Sequence, residues 1–404
     1  MSNTNLTIDM ITKEALRVLH QEATVLKKVR RDYDDRFGRS GAKIGDTLRI
    51  RRPARYTVTT GRTLQVQDSV ETFASLPVTN QKGVHIAFSS AEMALDIDDY
   101  SDRYLRPAMT QLAAQMESDF IQFAKNQIFQ TVGAHNANLA TLTTVLNARQ
   151  RLNQQLAPQT PRSLVLNPQA EATLVGGLSN LFNSQAQVAK QYEQGSMGKA
   201  AGFDFYASSL MPVHTNGTAV VTGGTVNGAN QVGATISLSS MGANATIPAG
   251  TVLTFAGCNA VHPETKQNLG YLQQFVVTAD TTATGAGAVA ALPISPAIVT
   301  SGPFQNVSAS PTASGAVVIF GAASGAYDVS FAMHEDAFAF ATADLDLPPN
   351  VEASRQQLDG LSVRALKVYD QINDQSVIRI DSLYGFCALY PQLAVKIANS
   401  VTTI

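Results

Sequence analysis

The sequence predicts an α+β chain that is interrupted late by a small antiparallel β-domain. Three observations carry this reading. Apolar residues recur at helical three- and four-residue steps through much of the first 160 residues. Short alternating runs separated by turn residues dominate the end. Between them, residues 216–325 change composition to Gly, Ala, Thr, Val and Asn, with only Glu264, Lys266 and Asp280 charged. A length of 404 residues exceeds one compact core and implies two or three domains.

The bulk composition narrows the function. Apolar residues make up 45% of the chain, which is globular, and charged residues only 15%, below the usual quarter. A net charge of −2 supplies no global positive field for nucleic acid or an anionic membrane. Cys258 and Cys387 lie far apart in compositionally different regions, so two unpaired core thiols in a reducing compartment are the simpler reading than a disulfide or a zinc site. The start, MSNTNLTIDMITKEALRVLHQE, lacks a basic stretch followed by an apolar run, so no signal peptide is expected. No stretch of about 18 apolar residues occurs, so no membrane-spanning helix is expected. The expectation is a soluble chain made in the cytoplasm.

In chain order, Ile11, Ala15, Val18, Leu19, Leu26 and Val29 place an amphipathic helix over residues 8–30. GAKIGDTLRIRRPARYTVTTGRTLQVQ follows. Leu48 and Ile50 alternate with Arg49 and Arg51, Pro53 interrupts, Tyr56 and Val58 resume, and TTGRT turns, which predicts a long basic hairpin at an edge. Residues 27–62 hold twelve Lys or Arg against four Asp. VHIAF (84–88) reads as a strand. Leu105, Met109, Leu112, Met116, Phe120, Phe123 and Ile128 then form the stripe of a helix of about 25 residues, nearly 40 Å long. Pro107 falls near its first turns, where a missing N–H costs least. A second helix is predicted over 139–156, and SLVLNP (163–168) predicts a strand leading into a short helix. In the uncharged block, ATISLS, TVLTFAG, LQQFVVTAD and AVVIFG alternate between Gly- and Pro-rich turns, as in a small barrel or sandwich. The last segment, GLSVRALKVYDQINDQSVIRIDSLYGFCALYPQLAVKIA, predicts strands joined by a polar turn at 373–375.

Motifs for chemistry are scarce. No histidine spacing matches HExxH. His334, Glu335 and Asp336 are adjacent and point different ways on a helix, so a solvated helix start is the simpler reading. His262-Pro263-Glu264 reads as a turn. GSMGKAAG (195–202) fails as a phosphate loop, because Lys199 precedes Ala200 where Ser or Thr is needed. DIDDY (96–100) is expected to lead into the long helix and cap it. RIRRPAR (49–55) has no interleaved aromatic platform for nucleic acid, and a basic face meeting acids on a neighbouring chain explains it as well. No cofactor or metal site is expected.

The stretches IGDTLRIRRP (44–53), RPAMTQLAAQMESDF (106–120), AGFDFYASSLMPVHTNG (201–217), FAMHEDAFAFATADLDLP (331–348) and GLSVRALKVYD…IRIDSLYGFCALYPQLAVKI (360–397) stand in one order. Together they resemble the major capsid (coat) proteins of tailed double-stranded-DNA bacteriophages, in particular the short-tailed-phage coat family, whose shell fold carries an inserted domain. The resemblance implies an N-terminal arm (1–37), an extended loop (38–80), a peripheral domain on a spine helix (81–157), an axial domain with returning strands (158–215 and 326–404) and an inserted β-domain (216–325). It implies a non-enzymatic subunit of an icosahedral shell, assembled from pentamers and hexamers of itself. Scaffolding and portal proteins are implied as partners, with double-stranded DNA enclosed without sequence-specific binding and no membrane. Within it, Arg49, Arg51, Arg52 and Arg55 are expected to meet acids of a neighbouring subunit, with Asp96, Asp98 and Asp99 as candidates. Alternatives stay open: a tail-tube subunit, a nanocompartment shell, or a metal-dependent hydrolase using His262, Glu264 and His334.

Overall fold

The computed structural model describes residues 8–31, 47–58, 61–62, 66–69, 71–89, 101–139, 141–178, 198–349, 351–358, 360–370 and 375–401. The chain forms two compact units, each assembled from separate segments.

The first unit comprises Met1–Arg52, Phe73–Phe120 and Phe338–Leu389. It begins with helix α1 (Ile8–Glu22), whose stripe Ile8, Ile11, Ala15, Val18 and Leu19 is buried. The helix stops earlier than the apolar spacing predicts, and Leu26–Lys28 forms a separate 3-10 turn. The physical reason is Glu117, whose carboxylate takes the N–H groups of Thr24, Val25 and Leu26 at 2.5, 2.6 and 3.3 Å. Those three amides would otherwise extend α1 by bonding back to carbonyls one turn earlier.

Strands β1 (Thr47–Arg52) and β2 (Thr72–Pro77) pair as the base of a hairpin. The main sheet of this unit contains β3 (Asn80–Ser89) together with β18 (Phe338–Ala343), β19 (Glu352–Leu358), β20 (Leu361–Asp370) and β21 (Gln375–Ala388). β21 is its organiser: Gln375–Asp381 pairs with β20, Leu383–Ala388 with β18, and Gln375–Tyr384 with β3. Helix α1 lies against β19 and β20. Helix α2 (Arg106–Gln127) follows a short π-helical turn, Ser101–Leu105. Of the predicted stripe, Met109, Leu112, Met116 and Phe120 are buried on it, Leu105 and Ile128 are buried just outside its ends, and Phe123 is half-buried. Phe120 packs against Phe338 and Phe386 with ring centroids 5.6 Å apart in each case.

The second unit comprises Pro53–Thr72, Ile121–Ala337 and Tyr390–Ile404. Its carrier sheet has β17 (Ala326–His334) between β22 (Ala394–Ser400) and β5 (Arg162–Leu166). β4 (Thr131–Gly133) adds to β22, β6 (Lys199–Ala200) and β7 (Phe203–Ala207) extend the β5 side, and β8 (Val213–Thr215) pairs with the start of β17. The β22–β4 and β5–β7 pairs are parallel, the others antiparallel. Strands β5, β17 and β22 are buried almost throughout, so their sequences lack a polar-apolar alternation, and Arg162, Asp328 and Lys396 are buried within them. Helix α3 (Leu142–Gln154) lies on β22 and β4, and helix α4 (Pro168–Leu178) on β5. Both fall where helices were predicted.

The uncharged block resolves the choice between barrel and sandwich. Six strands close in the order β10 (Gly233–Ser239), β15 (Val289–Ile298), β13 (Asn268–Val277), β12 (Val252–Val261), β16 (Ala316–Ile319) and β9 (Thr222–Val226). Every pairing is antiparallel. A two-stranded flap, β11 (Thr246–Ile247) with β14 (Thr281–Thr282), sits beside it. The barrel is filled by Leu238, Leu253, Phe255, Phe275, Leu292 and Val317, with the Phe255 and Phe275 rings 5.3 Å apart. Closure leaves no free sheet edge, which lets so uncharged a domain stay out of edge-to-edge association. Cys258 and Cys387 are both buried and free.

Candidate assembly surface and barrel seat

The basic hairpin is built by the alternation in TLRIRR. Ile50 turns inward and is buried, while Arg49 and Arg51 turn outward. The Arg49 guanidinium lies 5.1 Å from the centre of the Phe73 ring on the paired strand. Arg52 donates through Nη2 to the Ala388 carbonyl at 3.2 Å. Pro53, lacking an N–H, ends the strand where expected. Beyond it the ladder gives way to side chains. The Gln67 amide accepts from Thr57 N and Oγ1 at 2.9 Å each and donates to Thr57 O at 2.5 Å. Arg55 reaches over the Phe304 ring at 5.8 Å. Tyr56, Val58 and Val66 are 63%, 98% and 84% exposed, so the hairpin's outer part carries bare apolar groups among its cations. Beside it opens a groove of about 1060 Å³, lined by Tyr56 and Val58, by Leu156 and Leu393, and by the barrel-turn residues Pro263 and Lys266. Asp96, Asp98 and Asp99, the expected acidic partners, lie outside the described residues, as do the DIDDY cap and the turn residues Asn373 and Asp374.

Among the described residues, no three His, Cys, Asp or Glu side chains lie close enough to hold an ion. His262 caps its own turn, its Nδ1 accepting from Glu264 N at 3.3 Å and Thr265 N at 3.2 Å, as the turn reading requires. His334 corrects the expectation of a solvated helix start. It is the buried last residue of β17, opposite Arg162, and a single 3-10 turn, Glu335–Ala337, follows. Its Nδ1 accepts from Asp336 N at 3.2 Å, so it ends a strand and shapes a corner. Among the described residues, no helix is long and apolar enough to cross a membrane.

Sequence reasoning missed how the barrel is seated. Gln274 on β13 and Thr131 on β4 bond reciprocally, Thr131 N to Oε1 at 2.8 Å and Nε2 to Thr131 O at 3.0 Å. Arg151 of α3 stacks on Tyr271 at 3.6 Å. Phe129, Val252 and Val276 pack together with Phe320. Asn216 donates through Nδ2 to the carbonyls of Phe320 and Ala322 at 2.8 and 3.0 Å. Lys396 of β22 is 1% exposed and donates to Gly250 O at 2.9 Å. The one signal for it was a lone lysine inside the otherwise apolar run LAVKIA.

The sequence matches the family described as P22 coat protein, gene protein 5, over residues 1–397. The chain belongs to the P22 coat protein family. Among solved structures it is similar to one from Mycobacterium phage Che8, at 12% identity and a TM-score of 0.50, covering 93% of this chain and 90% of that one. The capsid of the cyanophage P-SCSP1u aligns at 10% identity and TM-score 0.43, over 90% and 86% of the two chains. The mature capsid of bacteriophage PhiM1 aligns at 13% and 0.39, over 89% and 83%. No curated sequence matches the chain. As a member of the P22 coat protein family it is a tailed-phage major capsid protein, and copies of it form the shell of the virion. The shell fold and the expected family resemblance are both borne out.

Proposed function

We propose that the shell is icosahedral, closed from pentamers and hexamers of this chain, and that it encloses double-stranded DNA without reading its sequence. A scaffolding protein and a portal are its assembly partners, and synthesis takes place in the host cytoplasm. The chain carries out no reaction; its work is geometric, with many modest contacts summed over a closed lattice. The observation that carries the contact model is the hairpin, where cations alternate with bare apolar groups on a surface that no chemistry requires. Arg49, Arg51, Arg52 and Arg55 meet acids on a neighbouring subunit, Asp96, Asp98 and Asp99 among them. The domain scheme is an arm (1–37), extended loop (38–80), peripheral domain (81–157), axial domain with returning strands (158–215 and 326–404) and inserted barrel (216–325).

The direct test is negative-stain electron microscopy of the chain expressed alone at high concentration. Closed polyhedral shells are expected. Uniform open tubes or discrete small oligomers would overturn the reading. Exposed ion pairs contribute about 0–1 kcal/mol each and an exposed cation–π contact about 0.5–1 kcal/mol, so Arg49→Glu with Arg51→Glu should lower the monomer's stability by no more than about 2 kcal/mol while slowing assembly several-fold by light scattering. Unchanged assembly kinetics would remove the hairpin from the contact. Deleting 217–324 and closing the gap with a short linker should give a chain that folds poorly or assembles aberrantly. Normal closed shells from that deletion would remove the structural role assigned to the barrel.

A further inference from the structure

The seat of the barrel contains a buried lysine amine, Lys396, that shell formation does not call for. Lys396 donates to two carbonyls at once: Lys125 O at 3.1 Å, near the end of α2, and Gly250 O at 2.9 Å, in the barrel turn between β11 and β12. One side chain therefore bridges the helix, the carrier sheet and the barrel. The turn is tightly fitted. Gly250 has φ +89°, and a Cβ there would stand 2.8 Å from Asn126 Oδ1 and 3.3 Å from the His214 ring. Asn126 Oδ1 is buried without a hydrogen-bond partner. His214 of β8 is 2% exposed, with Nε2 3.4 Å from Thr251 Oγ1.

The charged and titratable groups around this seat come from several elements. Lys125 from α2 and His214 from β8 share the field of Lys396. Tyr327 from β17 packs against His214 at 5.2 Å. Asp280, from the segment joining β13 and β14, acts on Lys125 and accepts from Ala249 N at 2.8 Å. On α3, Arg149 lies over Gly202 and Arg151 stacks on Tyr271. The buried Lys396 and His214 thus share the seat with a half-buried Lys125, and the Lys396 amine's recorded partners are neutral carbonyls.

We propose that this seat is a proton-operated clamp: lifting the barrel turn from the sheet hydrates Lys396, which takes up a proton, so alkaline conditions tighten the barrel and acid loosens it. The electrostatics agree in sign. Burial, reinforced by Lys125, lowers Lys396 from 10.5 to about 7. Burial, reinforced by Lys396 and Lys125, lowers His214 from 6.5 to about 3. Both are bases held below their hydrated values, so the open seat binds more protons than the closed one. Lys396 strengthens closure as pH rises from about 7 towards 10.5, and His214 weakens it as pH falls from 6.5 towards 3. Taking those Lys396 values, opening should become ~50-fold rarer between pH 7 and pH 9.

The test is hydrogen-exchange mass spectrometry on the full chain at pH 7, 8 and 9, expressed as protection factors for residues 129–133, 249–252 and 274–277. Wild type should gain ~50-fold protection across that range, while Lys396→Met should be flat. β10 and β15, inside the barrel, serve as controls whose protection does not follow this profile. Flat protection in wild type would overturn the proposal, and so would a full rise retained in Lys396→Met. Should the methionine variant fail to fold, Lys396→Gln replaces it, and the wild-type profile alone still decides.

Discussion

Asp381→Ala is expected to destabilise the folded chain by about 3–5 kcal/mol, as for a buried ion pair deprived of one partner. Asp381 is completely buried on β21, directly across the ladder from Arg364 on β20. One oxygen, Oδ2, accepts from Arg364 Nη2 at 2.8 Å, Arg379 Nε at 2.8 Å and Gln81 Nε2 at 2.9 Å. The loss divides unequally. Arg379 is 45% exposed and would be rehydrated at little cost, whereas Arg364 is 11% exposed and would keep its charge with no carboxylate beside it. Asp381→Asn retains an acceptor and should lose about half as much. Urea unfolding measures both, and a loss below about 1 kcal/mol in the alanine variant would mean that water already reaches the pair.

Glu117→Ala is expected to have a comparable effect by a different route. Its carboxylate is 3% exposed, accepts three successive amides through Oε1, and takes the Thr24 hydroxyl on Oε2 at 3.2 Å. Each amide left buried and unpaired costs about 1–3 kcal/mol. The costs do not add in full, because residues 24–26 could rewind onto α1, and a net loss of about 3–4 kcal/mol follows. Glu117→Gln keeps one acceptor oxygen without its charge and should recover part of that. Thermal unfolding together with protease sensitivity of residues 8–31 reads the change. An alanine variant that melts with wild type would show that α1 needs no anchor.

The helices were legible because burial on one side imprints a 3.6-residue period. The stripe of α2 is buried from Met109 to Phe120 and gives way to a half-buried Phe123 in its last turns. The barrel was legible as alternating strands between turns, although only the pairing of β9 with both β10 and β16 makes it closed. The anchors were not legible. Glu117 acts on residues about 90 positions away, and no local pattern marks a glutamate as a cap for another helix. Asp381 and Arg364 meet only once the register of β20 on β21 is fixed. His334 was misjudged because adjacent acids imply a helix start only where the chain is free to be solvated, and β17 is buried between two strands. Of the hairpin arginines, the sequence indicated outward placement for Arg49 and Arg51, while the aromatic rings under Arg49 and Arg55 depend on distant Phe73 and Phe304.

The barrel departs and returns from the end of one short antiparallel ladder. Thr215 of β8 faces Ala326 of β17, and just beyond them Asn216 N donates to Gly325 O at 2.9 Å. To the carrier sheet, the whole domain is therefore the turn of a β-hairpin. The chain ends are held together by the domain's own fold, so the carrier sheet is spared the entropy of closing a long loose loop. Residues 216 and 325 thus stand side by side, and the strand order of the carrier sheet runs past the barrel intact.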